Sequence, residues 1–249
     1  MILLETIHRV NVTYNLGSLA NWLSAIGTIA AFFAVIWQQH RQEKAARSFK
    51  IEQSRPRFLR LAGGVVPNEA DVLTNKQIGS KLLYEIVSKP RKKDTNAHSA
   101  LLAIKNISRN TIYKLEIIIE YEDKSIQCWE KFGMQSNEVI VLVPSFLKDG
   151  EGKLSNVNKK RSELKLRFLT PSNEVGFYIH NYENKIGKYI FIKDKWNNKT
   201  TLPEGGTLLD RDSEQIKDLN KDFDTQTRKY KLWRSARYQT LKDHFGKKN

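Results

Sequence analysis

A single cysteine, Cys128, stands among 249 residues, so the chain forms no disulfide within itself and offers no thiolate cluster to a metal. That scarcity points to a reducing compartment. The five histidines, at 8, 40, 98, 180 and 244, have no ligand partners at metal spacing, and no zinc site is expected. His180, flanked by Tyr178 and Tyr182, reads as an ordinary core or surface histidine. Phosphate-cradling glycine motifs are missing too. "DGEGKLSN" at 149–156 lacks the glycine-to-lysine spacing of a P-loop and reads as a hairpin turn, and no GxGxxG opens a helix. Asp218, Asn220 and Asp222 imitate the start of a calcium loop, but Phe223 holds the place that needs glycine and no glutamate closes it. The sequence therefore reads as that of a protein with no enzymatic activity and no cofactor.

Acidic residues are in deficit: 27 Asp and Glu face 42 Lys and Arg, a net charge of +15 with an isoelectric point near 9.7. A surplus of that size favours contact with something anionic, whether lipid headgroups, nucleic acid or a phosphorylated ligand.

Against this polar background one apolar run stands out. No charged residue occurs from Gly17 to Trp37, and as a helix this run is about 31 Å long, close to the roughly 30 Å of a hydrocarbon core. Trp22 and Trp37 sit near its ends, where indole rings favour the headgroup level. A cleaved export signal is disfavoured, because Glu5 offsets Arg9 and bulky Phe32, Phe33 and Trp37 fill the expected cut region. Arg41, Lys44, Arg47, Lys50, Arg55, Arg57 and Arg60 follow the run and only Arg9 precedes it. That bias predicts a single-pass protein of the cell membrane with its N-terminus outside and its C-terminal part in the cytoplasm. The glycosylation sequons at Asn106 and Asn198 then face the reducing side and carry no glycan. Trp22, Trp37, Arg41, Lys44 and Arg47 are expected to contact lipid, the last three resting on an anionic inner leaflet.

Ala20, Ser24, Gly27, Ala31 and Ala34 recur at spacings of 4, 3, 4 and 3, a seam of small residues along one helix face. Such a seam lets helices approach closely, and its period of 3.5 is that of a left-handed bundle, so a homo-oligomer is expected. Asn21 and Thr28 flank the seam, where they would hydrogen-bond between helices or line a narrow pore. Beyond the span, residues 38–55 lack Gly and Pro and continue as a basic helix to Pro56.

From residue 56 to about 200 the periodicity is that of strands. "RFLRLAGGVV", "KLLYEIVSK", "HSALLAIKNIS", "TIYKLEIIIEYED", "SIQCWEKFGM", "NEVIVLVPSFL", "SELKLRFLTP", "EVGFYIHNY" and "KYIFIKD" are short, β-branched and aromatic, and turn residues separate them. The expected fold class is mainly β with helical ends, an antiparallel β-sandwich between an N-terminal transmembrane helix and a C-terminal helix. Parallel pairing is disfavoured because no helical crossover lies between the strands. Leu115, Ile117 and Ile119 alternate with Glu116 and Glu120, and Ile118 is the exception.

In "LLAIKNISRNTIYKLEIIIEY", a strand ends at Asn106, Ser108 holds a short polar turn, and Ile112, Leu115 and Ile117 begin a long strand. This pattern resembles immunoglobulin-like β-sandwich domains that follow a single N-terminal span in bacterial membrane proteins. The Arg-Pro pair at 55 and 56 stands where such proteins leave the membrane helix. The resemblance covers residues 17 to about 150, with Ser108 in place of the usual glycine, and it implies architecture without an activity. Some bacterial antiphage effectors share this layout, so an effector role in antiviral defence is what the resemblance implies.

Residues 201–249 change character again. Ile216, Leu219, Phe223, Gln226, Tyr230 and Trp233 form the stripe of an amphipathic helix. Its second half interleaves Arg228, Lys229, Lys231, Arg234 and Arg237 with Trp233 and Tyr238. Basic residues among aromatics suit a phosphate backbone with stacked bases, and they equally suit a helix lying on anionic lipid or a solvated face whose apolar stripe packs on the sandwich. Two functions follow. In one, an oligomeric membrane sensor or effector binds a nucleotide or nucleic acid through these residues and alters the membrane assembly, as a pore for example. In the other, a scaffold holds a protein partner at the inner membrane.

Overall fold

The computed structural model describes residues 16–61, 66–74, 78–88, 101–148, 151, 159–198, 200–229 and 234–246. The chain divides into two compact units, residues 1–46 and 47–249, and helix α1 (Leu16–Ser54) contributes to both. No proline interrupts α1, and it stops where Pro56 biases Arg55 away from the α conformation. The Ser54 hydroxyl donates to the Ile51 carbonyl at 2.9 Å in the last turn.

In the second unit, eleven strands among the described residues form two mixed sheets. The five-stranded sheet has the order β1 (Phe58–Leu61), β3 (Leu102–Asn106), β6 (Val139–Val143), β2 (Asp71–Thr74), β11 (Arg234–Arg237). The six-stranded sheet runs β10 (Gly206–Leu209), β9 (Gly187–Ile192), β8 (Val175–Asn181), β7 (Arg161–Leu169), β4 (Ile112–Tyr121), β5 (Ile126–Met134). The expected all-antiparallel pairing fails at two places, since β2 runs parallel to β6 and β10 parallel to β9. The described residues of the second crossover, 193–198 and 200–205, are irregular rather than helical, the case that the absence of crossover helices did not cover.

Period-two alternation sorts the strand residues onto two faces. Phe58, Leu73, Leu102, Ile104, Ile140 and Leu142 of the first sheet share a buried cluster with Leu115, Ile117, Ile119, Leu164, Leu166, Phe168 and Phe191 of the second. The opposite faces are covered by helices. Val72, Ala103, Val141 and Val143 pack with Leu83, Ile86 and Val87 of α2 (Ser80–Ser88) and with Tyr238 and Leu241 of α4 (Tyr238–Phe245). Ile118, Cys128, Phe177, Ile179 and Ile190 pack with Ile216, Leu219 and Phe223 of α3 (Glu214–Lys229). Ile118, the exception to alternation, is apolar because α3 covers it.

Ion pairs fix α3 in place. Arg167 on β7 donates through Nε and Nη2 to Glu116 on β4 at 2.5 and 3.0 Å, and Nη2 also reaches Asp224 of α3 at 2.8 Å. Lys165 pairs with Asp222 at 2.6 Å. Burial alone would raise the Glu116 carboxyl, but hydrogen bonds from Arg167 and Lys114 outweigh it and hold the group below its usual range. Burial pushes the Cys128 thiol up to about 12, with Asp222 adding to the shift, so the lone cysteine is unreactive at neutral pH.

Two expectations are corrected. "KLLYEIVSK" is helix α2 and not a strand: Leu83, Ile86 and Val87 are buried at spacings of three and one, a helical face. The single C-terminal helix over 201–249 is instead β10, α3, β11 and α4, because residues 206–209 pair with β9 and residues 234–237 extend to pair antiparallel with the edge of β2, Arg234 opposite Thr74 and Arg237 opposite Asp71. At the β3–β4 corner, buried Asn106 donates from Nδ2 to the carbonyls of Asn110 (2.9 Å) and Gln135 (3.0 Å), while its Oδ1 accepts the Ser108 backbone N–H (3.1 Å) and hydroxyl (2.5 Å). The Ser108 hydroxyl thus takes part in a turn where glycine has no side chain to offer.

Candidate functional site

In the first unit the described part of α1 buries none of its most apolar eighteen-residue stretch. Trp22 and Trp37 are 71% and 62% exposed, with Leu23, Ile26, Ile29, Phe32 and Phe33 exposed between them. Ala20, Ser24, Gly27, Ala31 and Ala34 are exposed as well, and a Cβ added at Gly27 would meet nothing within 4 Å. Thr28 donates its hydroxyl proton to the Ser24 carbonyl at 2.8 Å, so only its oxygen lone pairs remain for a neighbouring helix or a pore. Asn21 is exposed, the Arg41 guanidinium lies 4.8 Å from the Trp37 ring centre, and Lys44 is exposed.

The residues that begin the second unit are seated on β loops. The Arg47 guanidinium, expected against headgroups, lies 4.4 Å from the Trp196 ring centre, and Ser48 Oγ donates to the Trp196 carbonyl at 2.9 Å. Glu52 Oε1 accepts the Thr201 N–H at 2.5 Å, and the Ser54 and Ser172 hydroxyls pair. Arg55 is 5% exposed and donates to Glu174 through Nε (2.9 Å) and Nη2 (2.7 Å). Nη1 reaches the Thr201 carbonyl at 2.6 Å, Nη2 reaches Thr200 Oγ1 at 2.8 Å, and the guanidinium lies 4.4 Å from the centre of the Phe191 ring. Beside this seat is a depression of about 500 Å³ lined by Glu52, Gln53, Arg57, Ser108, Arg109 and Asn110. The exposed Arg57 and Arg109 side chains make no hydrogen bond among the described residues, so the depression carries two uncommitted guanidinium groups.

The expected ligand-binding stretch is described only in part. Lys231 and Trp233, and the side chains of Arg228, Lys229 and Arg234, lie outside the described residues. Arg237 has a side chain 78% exposed, with Nε 3.8 Å from Asp71. Tyr238 is corrected: it is 9% exposed, stacked on Tyr84 with ring centres 6.5 Å apart, so its faces are taken by α2 and offer no platform to a base.

A polar group missed in the sequence lies at one end of the space between the sheets. Tyr121 and Arg161 are register partners on β4 and β7, and the Ser162 carbonyl accepts the Tyr182 N–H at 2.9 Å. The His180 and Tyr182 rings meet edge-on at 4.9 Å, and the guanidinium carbons of Arg60 and Arg161 lie 5.6 and 5.3 Å from the Tyr182 ring centre. Tyr121 OH, Ser162 Oγ, His180 Nδ1 and Tyr182 OH are buried without a hydrogen-bond partner among the described residues. His180 is indeed a core histidine, but not a satisfied one. Burial, then the charge of Arg60, lowers its pKa to about 4, and burial raises that of Tyr121. Only the strand spacing of His180 and Tyr182 is visible in the sequence; Arg60, Tyr121 and Ser162 come from three other strands, and no sequence spacing links them to that pair. Among the described residues no group of three or more His, Cys, Asp or Glu is placed to hold a metal ion.

Removing one partner of the Arg55–Glu174 pair strands a buried charge. Glu174→Ala is expected to cost about 3–5 kcal/mol in chemical denaturation of the detergent-solubilised chain, and Arg55→Leu combined with Glu174→Leu to recover most of it; equal losses in both would contradict this. His180 is neutral in the fold while an unfolded histidine takes a proton near 6.5. Its contribution is therefore complete above pH 6.5 and is lost as pH falls towards 4. The melting temperature is expected to fall between pH 6.5 and 5, and the fall to shrink in His180→Phe; an unchanged slope would contradict the assignment.

No family model, no curated protein and no solved structure matches this chain, so what it does follows from the residues just described.

Proposed function

We propose that this chain is a single-span protein of the cell membrane whose 47–249 unit faces the cytoplasm, binds an anionic ligand and acts on a membrane assembly built through the small-residue seam. The observation that carries it is the unburied apolar helix: α1 is long and apolar enough to cross a membrane, and none of its most apolar stretch is covered. In water each Å² of apolar surface so exposed forgoes about 25 cal/mol, and a bilayer removes that cost. The basic residues after Trp37 support an N-terminus outside, by the positive-inside bias.

Strand order supports an immunoglobulin-like reading of the second unit. β1-β3-β6 in one sheet and β5-β4-β7-β8 in the other match the A-B-E and C′-C-F-G arrangement of that fold, with β2, β9, β10 and β11 as additions. The uncommitted Arg57 and Arg109 and the net charge of +15 support the anionic ligand. Assembly through Ala20, Ser24, Gly27, Ala31 and Ala34 supplies the element on which binding acts, and a pore in antiphage defence is the form of action that the layout suggests.

The test is retention on membranes after an alkaline wash, followed by the mass of the detergent-extracted protein by light scattering, for the wild type and for Gly27→Leu with Ala31→Leu. The expected outcome is a retained protein and a discrete oligomer that the double substitution reduces to a monomer. Release by the wash would overturn the anchor, and a monomer in both proteins would overturn the assembly.

A further inference from the structure

Buried polar groups without partners are uncommon, and four in one place call for a cause. Tyr121 OH, Ser162 Oγ, His180 Nδ1 and Tyr182 OH are such a set. Three are hydroxyls able to donate, and a neutral imidazole can present an N–H at Nδ1. The charges facing them are mostly positive. Arg60 and Arg161 flank the Tyr182 ring, and the side chain of Arg60 makes no ion pair or hydrogen bond among the described residues. The acidic group nearest in effect, Asp123, is already held by Lys159 at 2.5 Å and by Ser125. A convergence of donors and guanidinium groups, with the Asp123 carboxylate engaged by Lys159 and Arg161 also reaching the Leu101 carbonyl at 3.4 Å, selects an acceptor-only anion. It offers more donors than the two oxygens of a carboxylate require, which favours a tetrahedral phosphoryl group.

We infer that the polar end of the inter-sheet space, formed by Arg60, Tyr121, Ser162, His180 and Tyr182 with Arg161, is a binding site for a phosphate monoester. The inference rests on the anionic-ligand reading above and places the ligand in the interior of the β unit, away from both the Arg57 and Arg109 depression and the C-terminal stretch. It also has an unusual consequence. Without phosphate the buried Tyr182 hydroxyl has no partner among the described residues, so removing it relieves a cost, whereas with phosphate bound the same hydroxyl is a donor.

The experiment is calorimetric titration of the full chain, in phosphatidylcholine nanodiscs, with inorganic phosphate and with a nucleoside 5′-monophosphate. Wild type, Arg60→Gln, Tyr182→Phe, and Arg234→Glu with Arg237→Glu are compared, each also melted without ligand. Expected is saturable binding that weakens about tenfold or more in Arg60→Gln and Tyr182→Phe and survives in the C-terminal double variant. Unliganded Tyr182→Phe should melt no lower than wild type. Nanodiscs containing phosphatidic acid form a second arm: weaker apparent phosphate binding there identifies the lipid headgroup as the source of the phosphoryl group, and unchanged binding identifies a soluble monoester. Loss confined to the C-terminal variant would overturn this site and leave the anionic-ligand reading standing. Absence of binding by any of these probes would overturn both.

Discussion

Arg55 can leave water because its guanidinium is met along most of its edge and on one face. Glu174 takes it in a fork, Thr200 and the Thr201 carbonyl take two more of its five N–H protons, and Phe191 lies under the plane. Desolvating such a pair costs as much as the attraction returns, so its value lies in geometry more than in net stability. Here the geometry is considerable. Asn197 donates to Glu174 at 2.9 Å and to the Ile192 carbonyl at 2.8 Å, while Thr200 donates to the Asn197 carbonyl at 2.7 Å. The ion pair therefore also orders the loop from β9 to β10, and with it the parallel pair at that edge of the sheet. The last turn of α1, the β7–β8 turn and the crossover loop are held at one point.

From that point the second unit is built by alternation. Each sheet buries one face in the shared core and hides the other under helices, so polar strand residues concentrate where ion pairs accept them, as at Glu116 and Arg167. The sheet faces of this unit are enclosed, and its recognition chemistry is assigned to polar features, the Arg57 and Arg109 depression and the hydroxyls beside Arg60 that have no partner among the described residues, although Phe49, Leu59, Ile107, Tyr113, Phe132 and Ile186 remain exposed. The first unit is the reverse case. Its most apolar stretch is unburied, which is why the proposed function divides between a helix that needs lipid and a β unit that needs an anion.

Much of this was legible in the sequence where one periodicity held over many residues. The charge-free run from Gly17 to Trp37 announced the long apolar helix, and β4, β7 and β8 were visible as alternating or β-branched runs. Short elements failed for physical reasons. "KLLYEIVSK" fits either period over nine residues, and the partner faces on β2 and β6 decide for a helix. β2 went unseen because four residues, Asp71–Thr74, carry too little pattern. Tyr238 looked available because its neighbours are basic, while its burial depends on Tyr84, far away in sequence. The polar end around His180 was illegible for the same reason: only strand pairing brings its members together.

The most direct test of the account is protease accessibility in sealed bacterial vesicles of known sidedness. In inverted vesicles, with the cytoplasmic face outward, added protease should digest the 47–249 unit and leave a small protected fragment containing residues 17–37. In right-side-out spheroplasts the same unit should survive. A chain fully digested in both preparations, or protected in the inverted vesicles, would contradict an anchor at residues 17–37 with the β unit in the cytoplasm.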